Sequence, residues 1–235
     1  MKIIKVNNYE ELSRKAADVI ENQINEKKDS VLGLATGSSP LGTYANLVKD
    51  YEDGKVSFSL VSTLNLDEYC GLSPDNVQSY RYFMNTNLFD KIDIDKANTH
   101  VPSGLNEPDE ECVSYEALCE KLGYADLQLL GIGNNGHIGF NEPSEAFAAV
   151  THKVKLTQST IKANSRLFER EEDVPRYAIT MGIGTIMKAK KLLLIAGEGK
   201  ADIVERAIGG DVVPEVPASV LQLHPDVTVI YIPNK

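Results

Sequence analysis

His137 is one of four histidines in the chain, and it sits inside a run of glycines and amides. The run reads Gly131-Ile132-Gly133-Asn134-Asn135-Gly136-His137-Ile138-Gly139-Phe140-Asn141-Glu142-Pro143. An imidazole takes and returns protons near neutral pH. Glu142, five residues on, can orient the ring, as carboxylates orient catalytic histidines. A lone histidine is more often structural. Glycines that let backbone approach a ligand, with Asn and Glu alongside, favour chemistry here.

A second candidate is Asp67, in Asn65-Leu66-Asp67-Glu68-Tyr69 at the end of a strand-like run. Successive strand side chains point to opposite faces, so Asp67 and Glu68 do not act as a facing pair. One enters a site, and the other is free to cap the next turn. The third segment is Thr36-Gly37-Ser38-Ser39-Pro40, between a strand-like and a helix-like run. Backbone N–H groups and hydroxyls at a helix start bind phosphate, although Ser and Thr cap ordinary helices too. Lys200 and Arg166 can supply positive charge, against the commoner outcome of a solvated surface cation. No cysteine or histidine spacing suits a metal, and no G-x-G-x-x-G, Walker or G-x-S-x-G pattern is present.

Apolar runs and helical periodicities alternate along the chain and must position these residues. Strands are predicted over 2–6, 31–35, 61–66, 127–132, 177–181, 192–196 and 227–232. Helices are predicted over 9–27, from 40 to about 49, over 78–89 and over 107–122. Strand, glycine turn and helix in repetition predict an α/β fold, a Rossmann-like doubly wound, mostly parallel sheet with helices on both faces. Ligands bind such sheets at the carboxyl ends of the strands. The three polar clusters follow Ala35, Leu66 and Ile132. No repeat or linker divides residues 1–235, so one domain is expected. The charged stretch over 168–173 reads as a surface segment or part of a lid.

Composition narrows the partners. The 235 residues carry a net charge of −10, which argues against general nucleic-acid binding but not against a small phosphorylated ligand. No apolar run spans a membrane, and the first residues lack a signal peptide's pattern. Cys70, Cys112 and Cys119 fit no disulfide framework, and a cytoplasmic setting is expected.

Taken together, these motifs resemble the glucosamine-6-phosphate deaminase family. Ala163-Asn164-Ser165-Arg166, Gly197-Glu198-Gly199-Lys200 and Ser219-Val220-Leu221-Gln222-Leu223-His224-Pro225 extend the similarity across nearly the whole chain. The resemblance implies conversion of glucosamine 6-phosphate and water to fructose 6-phosphate and ammonia, without metal or cofactor. It implies that Asp67 moves a proton between C2 and C1, and that His137, oriented by Glu142, opens the sugar ring. It implies that Thr36, Gly37, Ser38, Ser39, Arg166 and Lys200 hold the phosphate. The Gly136 and His137 backbone is then near the sugar.

Two departures stand out. Some family members carry Asp where this chain has Asn135, which can hydrogen-bond and orient but cannot exchange protons as a carboxylate does. Larger members use basic residues after the Glu-Pro to bind an allosteric ligand between subunits. Thr151-His152-Lys153-Val154-Lys155 does not keep that arrangement, so an unregulated monomer or small homo-oligomer is expected. Two rivals are weighed. A 6-phosphogluconolactonase-like hydrolase carries different residues after the histidine, and a non-catalytic sugar-phosphate sensor needs a DNA-binding region for which no spare length exists.

Overall fold

The computed structural model describes residues 1–157, 161, 170 and 174–234. Arg166 and the 168–173 stretch lie outside the described residues, apart from Arg170. The chain begins β1 (Lys2–Lys5), α1 (Tyr9–Glu26), β2 (Val31–Leu34), α2 (Leu41–Glu52) and β3 (Ser62–Asn65). It continues β4 (Asp67–Tyr69), α3 (Tyr80–Asn87), β5 (Thr99–His100), α4 (Pro108–Lys121), β6 (Leu127–Leu130) and β7 (His152–Lys155). It ends β8 (Tyr177–Thr180), α5 (Ile183–Ile186), β9 (Leu192–Ala196), α6 (Ala201–Gly209) and β10 (Val227–Tyr231).

Seven strands form one sheet in the order β1-β10-β9-β6-β2-β3-β5, and every pair in it is parallel. Three of its inner strands are apolar along nearly their whole length. Val31–Leu34, Leu127–Leu130 and Leu192–Ala196 are buried at every position. That pattern belongs to parallel strands covered on both faces. Helices pack around the sheet, and α1 buries Leu12, Ala16, Ile20 and Ile24 along one face. Asn8 caps α1 by accepting the Glu11 N–H. This is the expected Rossmann-like α/β fold.

The strand order reverses between β2 and β6. From β2 the chain moves outward through β3 to β5, then returns to the other side of β2 and moves outward again through β6, β9 and β10. The loops leaving β2 and β6 therefore diverge and leave a crevice at the strand ends. The 36–39 segment and the glycine turn around His137 are those loops.

Part of the strand reading is corrected. The predicted strand over 177–181 is not in the main sheet. Tyr177–Thr180 is the centre of a separate antiparallel sheet ordered β4-β8-β7. The run ending at Asp67 also splits. Leu66 donates its N–H to Leu34 O in the parallel sheet, while its own carbonyl accepts from Met181 N at 2.7 Å. Leu66 is thus the joint between the sheets, and Asp67 starts β4. Apolar patterning reports burial but not the pairing partner, so the break is invisible in sequence. No described helix is long and apolar enough to cross a membrane.

Candidate active site

A cleft of about 600 Å³ opens at the crevice between the loops after β2 and β6. Thr36, Gly37, Ser38 and Ser39 line it from the first loop, Asn135, His137 and Glu142 from the second, Asp67 from β4 and Lys200 from the start of α6. Nine of the eleven expected residues thus share one cavity. Gly136 does not line it. Gly136 shapes the turn instead, donating to Gly133 O and accepting from Ala218 N. Arg166 lies outside the described residues.

The 36–39 loop is held from behind. The Tyr9 hydroxyl donates to Ser38 O at 2.9 Å and accepts from Gly42 N at 2.8 Å. The Tyr44 hydroxyl donates to Ala35 O at 2.6 Å. These bonds fix a polar loop at the start of α2, the geometry that suits an anion. Across the cleft, Lys200 precedes Ala201, the first residue of α6, and its ammonium donates to Asn134 Oδ1. Burial lowers the Lys200 pKa.

His137 is oriented through an intermediary. Its Nδ1 lies 2.7 Å from Asn135 Oδ1 and 3.4 Å from Glu142 Oε1. The Asn135 amide nitrogen donates to Glu142 Oε2 at 2.5 Å. An ionised carboxylate only accepts, so it holds the NH2 end of the amide and turns the carbonyl toward the imidazole. That carbonyl requires the proton on Nδ1, which leaves Nε2 as the basic nitrogen. The ring lies over Gly133, where a Cβ would fall 2.2 Å from His137 Cε1.

Asp67 sits in a drier place. It is 7% exposed, and its carboxyl is pushed up to about 8, first by loss of solvation and then by the Glu68 charge. Tyr69, Tyr80 and Phe140 form an aromatic wall in the same cleft. The rings of Tyr69 and Tyr80 are 4.7 Å apart, Tyr80 stacks on Phe140 at 6.1 Å, and the Tyr80 hydroxyl donates to that of Tyr69 at 3.1 Å. Asp67 and the histidine turn meet at Gly139. This residue has φ +57°, and a Cβ on it would lie 2.9 Å from Thr180 Oγ1 and 3.5 Å from Asp67 Oδ2. Thr180 Oγ1 also accepts the Phe140 N–H at 3.1 Å, tying β8 to the turn.

The sequence reading missed Asn134, Tyr80 and the supporting glycines 133 and 139. Asn134 lies within the glycine run and carried a signal. Tyr80 lies thirteen residues past Asp67, on a helix that no local pattern aims at the cleft.

A parallel sheet with a polar, strand-end cleft holding a histidine network, a buried carboxylate and a lysine defines an α/β enzyme for a small anionic ligand. The chain belongs to the family of glucosamine-6-phosphate isomerases and 6-phosphogluconolactonases, whose pattern it matches over residues 6–230. It is 60% identical to the glucosamine-6-phosphate deaminase of Lachnoclostridium phytofermentans, with 98% of each chain covered. It is 56% identical to that of Thermoanaerobacter pseudethanolicus, over 98% of this chain and 92% of the relative. A solved monomeric glucosamine-6-phosphate deaminase superposes with a TM-score of 0.95 at 46% identity, covering 99% of this chain and 97% of the other. A 6-phosphogluconolactonase from Thermotoga maritima shares the fold, with a TM-score of 0.74 at 18% identity and 99% of each chain covered.

Proposed function

We propose that this protein converts glucosamine 6-phosphate and water to fructose 6-phosphate and ammonia. The observation that carries the reading is the placement of two separate acid–base groups, Asp67 and the Asn135-held His137, in one cleft with a cationic end. Full-length relatives named as deaminases support it. Lys200 and the 36–39 loop take the phosphate, with Arg166 as a further cation. His137 Nε2 accepts the proton of the C1 hydroxyl and returns it to the ring oxygen, which opens the ring. Asp67 then removes the C2 proton and delivers one to C1, while O1 gains the proton that the amine nitrogen gives up, leaving a C1 hydroxyl and an imine at C2. Water adds at C2 and ammonia departs.

The reaction needs a carbon base that is ionised when substrate is bound. Asp67 in its desolvated site is a stronger base than an exposed carboxylate, which suits abstraction from carbon. A lactone hydrolase on the same fold needs no such base. We read the chain as an unregulated monomer acting in the cytoplasm, in keeping with the monomeric neighbour. The test is ammonia release from glucosamine 6-phosphate by the wild type and by Asp67→Asn. The expected result is turnover in the first and none in the second, with substrate still bound. Hydrolysis of 6-phosphogluconolactone without ammonia release from the amino sugar would overturn the reading.

A further inference from the structure

Glu68 is a buried carboxylate that the reaction above leaves unused. It is 2% exposed and follows Asp67 on β4, so its side chain leaves the opposite face of the strand. Its Oε1 accepts the N–H groups of Tyr69 at 2.8 Å and Tyr80 at 2.9 Å, and its Oε2 accepts that of Arg81 at 2.9 Å. Tyr80 and Arg81 are the first two residues of α3. Two of the donors that a helix start leaves unpaired therefore go to Glu68, and the next, Tyr82 N–H, goes to Ser79 Oγ at 3.0 Å. The Arg81 guanidinium donates to Thr99 Oγ1 and Thr99 O at 2.8 and 2.9 Å, which fastens the helix start to β5.

We propose that Glu68 is a positioning residue for Asp67, clamping the strand that carries the base to the start of the helix that carries Tyr80. The inference rests on the reading of Asp67 as the carbon base. Asp67, Tyr69 and Tyr80 all line the cleft, and Glu68 bonds to the backbone of two of the three. A two-oxygen acceptor is needed to take three N–H donors, and an anion is favoured at a helix N-terminus. Glutamine keeps the shape but has one acceptor oxygen, and its NH2 would face an N–H. Burial pushes the Glu68 carboxyl up, while the three backbone N–H bonds and the Arg81 charge hold it down. In its ionised form it places a negative charge beside Asp67, which raises the Asp67 pKa. Among the described residues, the other titratable groups that interact with Asp67 include Tyr69 on its own strand, Tyr80 on α3 and Tyr115 on α4. His137, Glu142 and Lys200 line the same cleft.

The experiment compares ammonia release across pH for the wild type, Glu68→Gln and Glu68→Asp, with folding checked by thermal melts. Glu68→Gln is expected to lower kcat roughly tenfold or more with a smaller change in KM. Its acid limb is expected to move to lower pH by about half a unit or more, because a neighbouring negative charge is gone. The substrate's own phosphate and amine titrate identically in all three enzymes, so they cancel. Glu68→Asp keeps the charge and shortens the reach, so its limb stays at the wild-type position while kcat falls. A Glu68→Gln limb that coincides with the wild type overturns the inference, because a purely structural role would leave it there. If Glu68→Gln does not fold, Glu68→Asp decides the matter, and an unchanged kcat overturns it. A wild type that releases no ammonia is a separate result, which removes the deaminase reading and this inference with it.

Discussion

His137 Nδ1 lies 2.7 Å from Asn135 Oδ1, nearer than the 3.4 Å that separates it from Glu142. The amide therefore stands where a carboxylate would stand in a histidine–acid pair. It fixes the ring and its tautomer without holding a charge of its own, and the charge sits one step further away on Glu142.

Asn135→Asp tests whether the amide only orients. An aspartate there still accepts from Nδ1, but it faces Glu142 across the 2.5 Å contact the amide now bridges. Two carboxylates at that distance share a proton. The variant is expected to keep turnover within about a hundredfold of wild type. Asn135→Leu, which removes both bonds, is expected to lose more. Steady-state ammonia release measures both, and a folded Asn135→Asp enzyme with a larger loss would refute the orienting role.

Gly133→Ala probes the same ring from its other side. The new methyl would fall 2.2 Å from His137 Cε1, so the imidazole must move off Asn135. Displacing an acid–base group by about 1 Å costs on the order of a hundredfold. The expected loss is in kcat, with KM nearly unchanged because the proposed phosphate contacts, Lys200 and the 36–39 loop, lie elsewhere in the cleft. A variant with wild-type kcat would show that the ring position seen here is not the working one.

Much of this site was legible in the sequence, and the reason is geometric. The loops after β2 and β6 must diverge where the strand order reverses, so polar residues at those strand ends gather without further information. Asp67 was legible as a residue but not as a position. Its strand belongs to a second sheet, and only the carbonyl of Leu66, bonded to Met181 N, reveals that the chain changes partners there. Glu68 was legible only as a choice between site and cap. The cap is on α3, whose first N–H groups lie twelve and thirteen residues further along. Such contacts depend on tertiary closure, which local periodicity does not encode.

Asp67→Asn should trade activity for stability. In the folded protein the Asp67 carboxyl is raised from 3.8 to about 8, so the folded state prefers it protonated. Between those values the unfolded chain is ionised and the folded one is not, and wild-type stability falls as pH rises. Asparagine has no such dependence. The variant is expected to melt at a higher temperature, with the gap widening from about pH 4 to about pH 8 and level above that. Thermal melts across this range provide the check. A gap that is flat or narrows with pH would mean that Asp67 is already ionised before substrate binds.

Lys200→Met separates phosphate binding from proton transfer. The ammonium is held by Asn134, and among the described residues no carboxylate pairs with it. Burial favours the neutral amine, and a bound phosphate would reverse that preference by pairing with the charge. A charge-assisted bond of this kind contributes about 1.5–3 kcal/mol, or roughly 10- to 100-fold in binding. Lys200→Met is therefore expected to raise KM for glucosamine 6-phosphate and the inhibition constant of inorganic phosphate by similar factors, while kcat changes little. Parallel changes place the lysine on the phosphate itself. A fall in kcat with phosphate inhibition unaltered would place it instead on the reacting end of the sugar, beside the Asn135–His137 pair.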